Sequence, residues 1–290
     1  MKYQLVRMPP CAAAGSLPDS AHANDRVIPR HPRRGPPRVR LHPRPARRGA
    51  RVVPEAPRVT IKITGISSMA TRQVLADLAD AWRLRSGVEV AFEATGGVDA
   101  AKRVQSGEAF DVVALAAEAI DQLIATGRVV AGSRTDLVRS EVAIAVRAGA
   151  PRPDIASEDA LRRAVLAARA IGYSTGPSGA ALTRLFGRWG IAESVRERLV
   201  QAPPGVPVGR LLARGEVELG FQQQSELIHE DGIAVLGPMP PGLEIVTTFS
   251  AGVCAASTQP EAARAFLDFM RSPATAEAKR RHGLEPALAA

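Results

Sequence analysis

From Val59 onward the chain keeps switching between two hydrophobic periods, and that alternation limits its fold more than any other feature. Val59, Ile61 and Ile63 alternate with Thr60, Lys62 and Thr64 at the period of a strand. Val74, Leu75, Leu78 and Trp82 then recur at helical spacing. Between them lie Gly65, Ser67 and Ser68, small residues that free the backbone and hydroxyls that suit a helix N-cap. The first N–H groups of a helix have no intrahelical partner and sit at the positive end of its dipole, so such a junction can hold an anion without a charged side chain.

The pattern repeats. Val88 to Phe92 is predicted as a strand, followed by the loop Ala94-Thr95-Gly96-Gly97 and a helix over Val98 to Gln105. Phe110 to Ala116 is a continuous apolar run, expected of a strand covered on both faces, and a helix follows from about Glu118 to Ala125. Leu137 to Arg147 is another strand, ended by Pro151-Arg152-Pro153-Asp154. A second series then begins: Ser157 caps a helix over Glu158 to Ala168, and Ala170 to Tyr173 forms a short strand. Ser174-Thr175-Gly176-Pro177-Ser178-Gly179 leads into the helix Ala180 to Trp189. After the turn at Pro203-Pro204-Gly205-Val206 come a helix at Val208 to Ala213 and a strand at Val217 to Gln222 that runs into Gln222-Gln223-Gln224-Ser225. Ile245 to Ala255 returns as a strand, and two helices close the chain. The expected fold class is α/β with largely parallel sheets, whose strand C-termini share one edge where ligands bind. Four small-polar junctions fall on that edge.

Composition separates a leader from a body. Residues 1–58 hold 13 of the 38 Lys and Arg and 3 of the 29 Asp and Glu, so the remaining 232 residues carry 25 against 26 and are nearly neutral. The leader also contains 11 of the 23 prolines and no apolar periodicity, and residues 1–57 are expected to be disordered. It lacks the interleaved aromatics of an RNA-binding arm, so no nucleic-acid partner is expected. It also lacks the apolar run of a secretory signal, and a misassigned start upstream of the true body is the favoured explanation. Of the two cysteines, Cys11 lies in the leader and Cys254 in an apolar alternating run suited to a buried thiol. No stretch approaches the length needed to span a membrane.

Several chemistries are excluded by what the body lacks. Its histidines, His229 and His282, are remote from any Gly-flanked serine, and Gly176-Pro177-Ser178-Gly179 lacks the spacing of a nucleophile elbow. The same loop has no Gly-Lys-Ser/Thr for nucleotide phosphates, and Thr95-Gly96-Gly97 lacks the rest of a dinucleotide fingerprint. No cluster at metal-ligand spacing is present, so neither cofactor nor metal is expected. What remains is a cleft of neutral donors, which suits a fully desolvated small anion. Arg72, in the first turn of a helix, opposes the dipole there. It either reaches solvent or faces a second charge on the ligand. Glu93 has the same two readings, with an exposed strand-end charge favoured.

Five segments in this order and spacing resemble the type II periplasmic solute-binding proteins, in the branch that binds molybdate. They are TGISSMATRQVL, ATGGVDAAKRVQSGEAFDVV, YSTGPSGAAL, PPGVPVGRLLARGEVELGFQQ and PEAARAFLDFMRSPATAEAKRRHGLEP, and they cover the body from about Val59 to Pro286. The resemblance implies two lobes, 58–140 plus 247–290 and 141–246, each with a mostly parallel sheet. Crossovers would lie near Val138 to Val142 and Val246 to Ser250, with the ligand between the lobes. It implies that Ser67, with Ser68 beside it, supplies the first oxyanion-binding hydroxyl and that Thr95, Gly96 and Gly97 form the second loop. Ser178, Gly179, Gly205 and Val206 would supply backbone donors. Two departures stand out: a Thr-Gly-Gly loop replaces a serine run, and Gln223 stands where the family has a tyrosine, which makes a carboxylate ligand compatible with the site. The family resemblance further implies a monomeric, periplasmic component that serves an ABC transporter permease. An aconitate isomerase is similar to the same branch, which leaves an enzyme acting on a tricarboxylate as the alternative, with Arg72 as a carboxylate clamp.

Overall fold

A computed structural model describes residues 61–287. The leader, Cys11 and the expected first strand residue Val59 lie outside the described residues. The first series of elements is β1 (Lys62–Ser68), a 3-10 turn (Met69–Thr71), α1 (Arg72–Ser86), β2 (Glu89–Thr95), α2 (Gly97–Gln105), β3 (Val112–Ala116), α3 (Ala117–Ala125) and β4 (Thr135–Arg147). The second is α4 (Glu158–Ala167), β5 (Ile171–Tyr173), α5 (Pro177–Arg188), α6 (Ala192–Val195), β6 (Leu199–Gln201), α7 (Val208–Arg214), β7 (Leu219–Gln223), α8 (Gln224–Leu227) and β8 (Ile233–Pro238). The chain closes with β9 (Val246–Val253), α9 (Pro260–Arg271), α10 (Ala276–Arg281) and β10 (Glu285–Pro286).

The strands run in the order β2-β1-β3-β9-β4-β7-β5-β6, with β8 and β10 also pairing to β4. The expected parallel pairing forms both flanks, β2-β1-β3 on one side and β7-β5-β6 on the other. The centre is antiparallel, because β9 and β4 cross between the flanks instead of returning through a helix. The single long strand β4 serves both halves. Residues 135–141 pair with β9, and residues 143–147 pair with β8, with Val142 to Ala145 also opposite β7.

Period-2 alternation explains how each flank is covered on both faces. In β1, Ile63 packs with Leu75, Leu78 and Phe266, whereas Ile66 faces the opposite way onto Val104, Leu115 and Ile120. In β4, Ile144 packs with Leu161, Leu185 and Phe221, and its neighbour Ala145 packs with Val208, Leu212 and Leu227. Burying one such side chain contributes about 1.5–3 kcal/mol, which fixes the register firmly, since a one-residue slip would reverse every face. The run expected to be doubly buried, β3, is buried at all five positions.

Two local expectations change. The first junction is not a capped helix: β1 continues through Ser68, and α1 starts four residues later without a side-chain cap. Gly65 is small for a different reason than backbone freedom, since a Cβ there would lie 2.4 Å from the Phe92 ring. The expected cap at Ser157 does form, with its hydroxyl accepting from the Ala160 amide at 3.2 Å. Strands β6 and β8 show no alternation in burial, so their sequences carry no period to read.

Candidate functional site

A cavity of about 460 Å³ opens where the strand C-termini of both flanks meet. Three helices begin on its wall: α2 at Gly96-Gly97, α3 at Ala116 and α5 at Gly176-Pro177-Ser178. None of the three has a side-chain cap, so their first backbone N–H groups are left for a ligand or solvent. Helices α2 and α3 carry Asp99 and Glu118 in their first turns, which partly offset the dipole, whereas α5 carries no acidic residue there. The end of α5 is therefore the most anion-attracting of the three.

The structure brings together Ser68, Gly96, Gly97, Ser178, Gly205, Val206 and Gln223, all on the cavity wall. Four other expected residues lie elsewhere. Ser67 is wholly buried and does not line the cavity, because successive strand residues point to opposite faces and Ser68 takes the cavity side. The Ser68 hydroxyl is buried and has no hydrogen-bond partner among the described residues. Thr95 ends β2 beside Ser68 without reaching the wall. Gly179 is needed for space: a Cβ there would lie 1.9 Å from the Ser174 carbonyl oxygen. Arg72 is exposed and sits in a small adjoining recess with Ser225, Glu226, His229 and Glu230, where its charge acts on Glu226. Glu93 is exposed, two residues before the end of β2, and pairs with Arg103 at 2.8 Å.

The lining is not purely neutral. Lys102, Glu118 and Glu226 join it, all from helices whose positions relative to the junctions become visible only once the elements are packed. Glu226 stands out chemically. Its Oε2 accepts from the Gln222 Nε2 at 2.6 Å, and Gln222 Oε1 accepts from the Val208 amide at 2.7 Å, so the amide side chain holds the carboxyl in place. Burial pushes the Glu226 pKa up to about 7, against the lowering influence of Arg72 and of the Gln222 hydrogen bond. Gln223 donates from Nε2 to the Thr247 hydroxyl at 2.9 Å, which ties β7 to the crossover strand β9 inside the cavity wall. Ser174 and Ser178 hydroxyls lie 3.1 Å apart on the same loop. The sequence signal for Glu226 was its place four residues after Gln222, across a strand-to-helix junction.

Cys254 is buried, and its thiol is pushed up to about 12, first by burial and then by the Asp111 charge. Among the described residues no helix is long and apolar enough to cross a membrane.

Comparison with known proteins gives a consistent picture. A family model described as bacterial extracellular solute-binding protein matches residues 63–285. An aconitate isomerase from a Pseudomonas species is 37% identical over 232 residues, covering 77% of this chain and 87% of that protein. The periplasmic molybdate-binding protein of Azotobacter vinelandii superposes with a TM-score of 0.66 at 18% identity, over 79% of this chain and all of that one. A sulfate-binding protein from Mycobacterium tuberculosis gives 0.63 at 20% identity, over 78% of this chain and 87% of the other. At these identities the solved structures establish a common fold.

Proposed function

This chain belongs to the bacterial extracellular solute-binding proteins and has the two-lobed fold of the type II periplasmic binding proteins, and on that premise we propose that it captures a small anion in its interlobe cleft as the substrate-binding component of an ABC-type transporter. The observation that carries the reading is the meeting of three uncapped helix starts and the unpartnered Ser68 hydroxyl around one cavity. Such donors satisfy an anion's oxygens without leaving an unpaired buried charge when the site is empty. In this reading residues 58–140 plus 247–290 form one lobe and residues 141–246 the other. The protein acts as a periplasmic monomer that closes around its guest and presents it to a permease. The size of the cavity lies within the range of sites for small organic molecules, so an organic acid fits as well as an inorganic oxyanion. Calorimetry against molybdate, tungstate, sulfate, citrate and cis-aconitate tests this directly. Binding of one of them in the micromolar range or tighter supports capture, and absence of heat with all five refutes it.

One observation favours a second reading. Glu226, a carboxyl with a pKa near 7, faces a cleft whose 37% identical relative is named an aconitate isomerase. A group of that acidity can take a proton from one carbon of a bound tricarboxylate and return it to another. Ultraviolet absorbance of cis-aconitate incubated with the protein distinguishes the readings: interconversion with the trans isomer supports an isomerase, and a constant spectrum supports binding alone.

A further inference from the structure

Glu226 raises a question that capture of an anion by neutral donors leaves open. A carboxyl group on the wall of an anion-holding cavity repels the guest whenever it is ionised. Its geometry is well defined. Helix α8 begins at Gln224, one residue after β7 ends, so Glu226 projects from the first turn of α8 toward the cavity. Gln222 fixes Oε2, while no described residue donates to Oε1. The charged groups around it come from each side. Arg72 of α1 and Glu230, beyond α8, act on it in opposite directions, with His229 in the same recess. From β7 it meets the neutral Gln222, and Lys102 and Glu118 line other parts of the cavity wall. No described cation forms an ion pair with it, so an arriving anion meets a carboxylate that nothing fully neutralises.

Resting on the proposed anion capture, we infer that Glu226 makes that capture proton-linked and selects for organic polycarboxylates: on binding, Glu226 and an acid group of the guest share one proton. Two close carboxylates cannot both ionise without a large cost, and a shared proton turns the repulsion into a short charge-assisted hydrogen bond. The proton comes from solvent, no covalent bond forms or breaks, and the proton is released with the guest. Because the Glu226 proton is already present in mildly acidic solution, the linkage is felt above neutrality. There each guest bound takes up one proton, and affinity falls about tenfold per pH unit.

The experiment is calorimetry of citrate binding at pH 7.5 and 8.5, above citrate's own ionisations, in two buffers of different ionisation enthalpy. Wild-type protein is expected to take up close to one proton per citrate and to lose about tenfold in affinity between the two pH values. Glu226→Gln keeps the volume and offers a permanent amide donor. It is expected to bind citrate at pH 8.5 about tenfold more tightly than wild type, with no proton uptake. Citrate binding by wild type without proton uptake, or uptake that persists in Glu226→Gln, overturns the linkage and leaves anion capture standing. Binding of sulfate or molybdate with no binding of citrate overturns the polycarboxylate assignment and the shared proton with it, and leaves anion capture standing; binding of none of the three overturns the capture as well.

Discussion

The Asp111 carboxylate accepts both the backbone amide and the hydroxyl of Thr64, at 2.8 and 3.1 Å, across 47 positions of sequence. It also accepts the Ser257 hydroxyl at 2.7 Å and the Thr258 amide at 3.2 Å, so one side chain joins β1, the start of β3 and the loop after β9. Burial alone would raise its pKa, but these hydrogen bonds outweigh it and hold the carboxyl below its ordinary value. Asp111→Ala leaves several donors unmet and is expected to cost about 2–4 kcal/mol in urea denaturation. Because the folded pKa is depressed, this contribution is fully present above about pH 4 and is lost as the pH falls through the folded value. The difference between wild type and Asp111→Asn should therefore shrink below pH 4.

The two adjacent serines at the end of β1 separate cleanly by mutation. Ser68→Ala removes the unpartnered hydroxyl on the cavity wall and is expected to weaken the bound anion by about 1–3 kcal/mol. Ser67→Ala, on the other face of the strand, should leave affinity within error. The reverse ranking in calorimetry would place the strand's working face on the wrong side.

Gly179 tests whether the start of α5 depends on close backbone packing. The Cβ of Gly179→Ala would fall 1.9 Å from the Ser174 carbonyl oxygen, so the loop must move and carry the Ser178 hydroxyl with it. Affinity should drop by about tenfold or more, with a smaller loss in Tm than core truncation gives. Wild-type affinity in this variant would show that the loop does not touch the guest.

Lys279 is buried and donates through Nζ to the Met270 carbonyl at 2.7 Å. Burial pushes its pKa down to about 8. With the folded value below the unfolded one near 10.4, the unfolded chain binds more protons in between, so stability rises as pH climbs from about 8 to 10. Lys279→Met is expected to remove that rise and to be about 1–2 kcal/mol more stable at pH 7. The Met270 carbonyl keeps a partner, since the Thr275 hydroxyl donates to it at 2.8 Å. A lower Tm at pH 7 would mean the lysine bond outweighs its burial.

Residue types and periods carried most of the elements. Ile63, Val74 and Leu78, and the run at β3 each pack where their spacing points, whereas Ile61, read in the same strand period as Ile63, is exposed. The loops at Gly96 and Ser178 were legible because small polar residues between two periods have few other uses. What escaped was set by direction and assembly. Whether Ser67 or Ser68 faces the cavity depends on where a strand ends, and β1 runs past the point where a cap was expected. Thr247 reaches the cavity only because β9 crosses beside β4, and Glu226 only because α8 begins immediately after β7. The first relation is not local in sequence, and the second shows only once the end of β7 is fixed.

Strand β9 lies between β3 and β4, yet it is made more than 100 residues after either of them except for a few positions of β4. On the ribosome, β3 therefore emerges with one edge bare and must wait for residues 246–253 before its pairing is complete. The nascent chain exposes that edge for as long as it takes to synthesise the whole second series, a matter of several seconds at about 5–20 residues per second. A chain interrupted before β9 carries an unpaired β3 edge, an open template for edge-to-edge association.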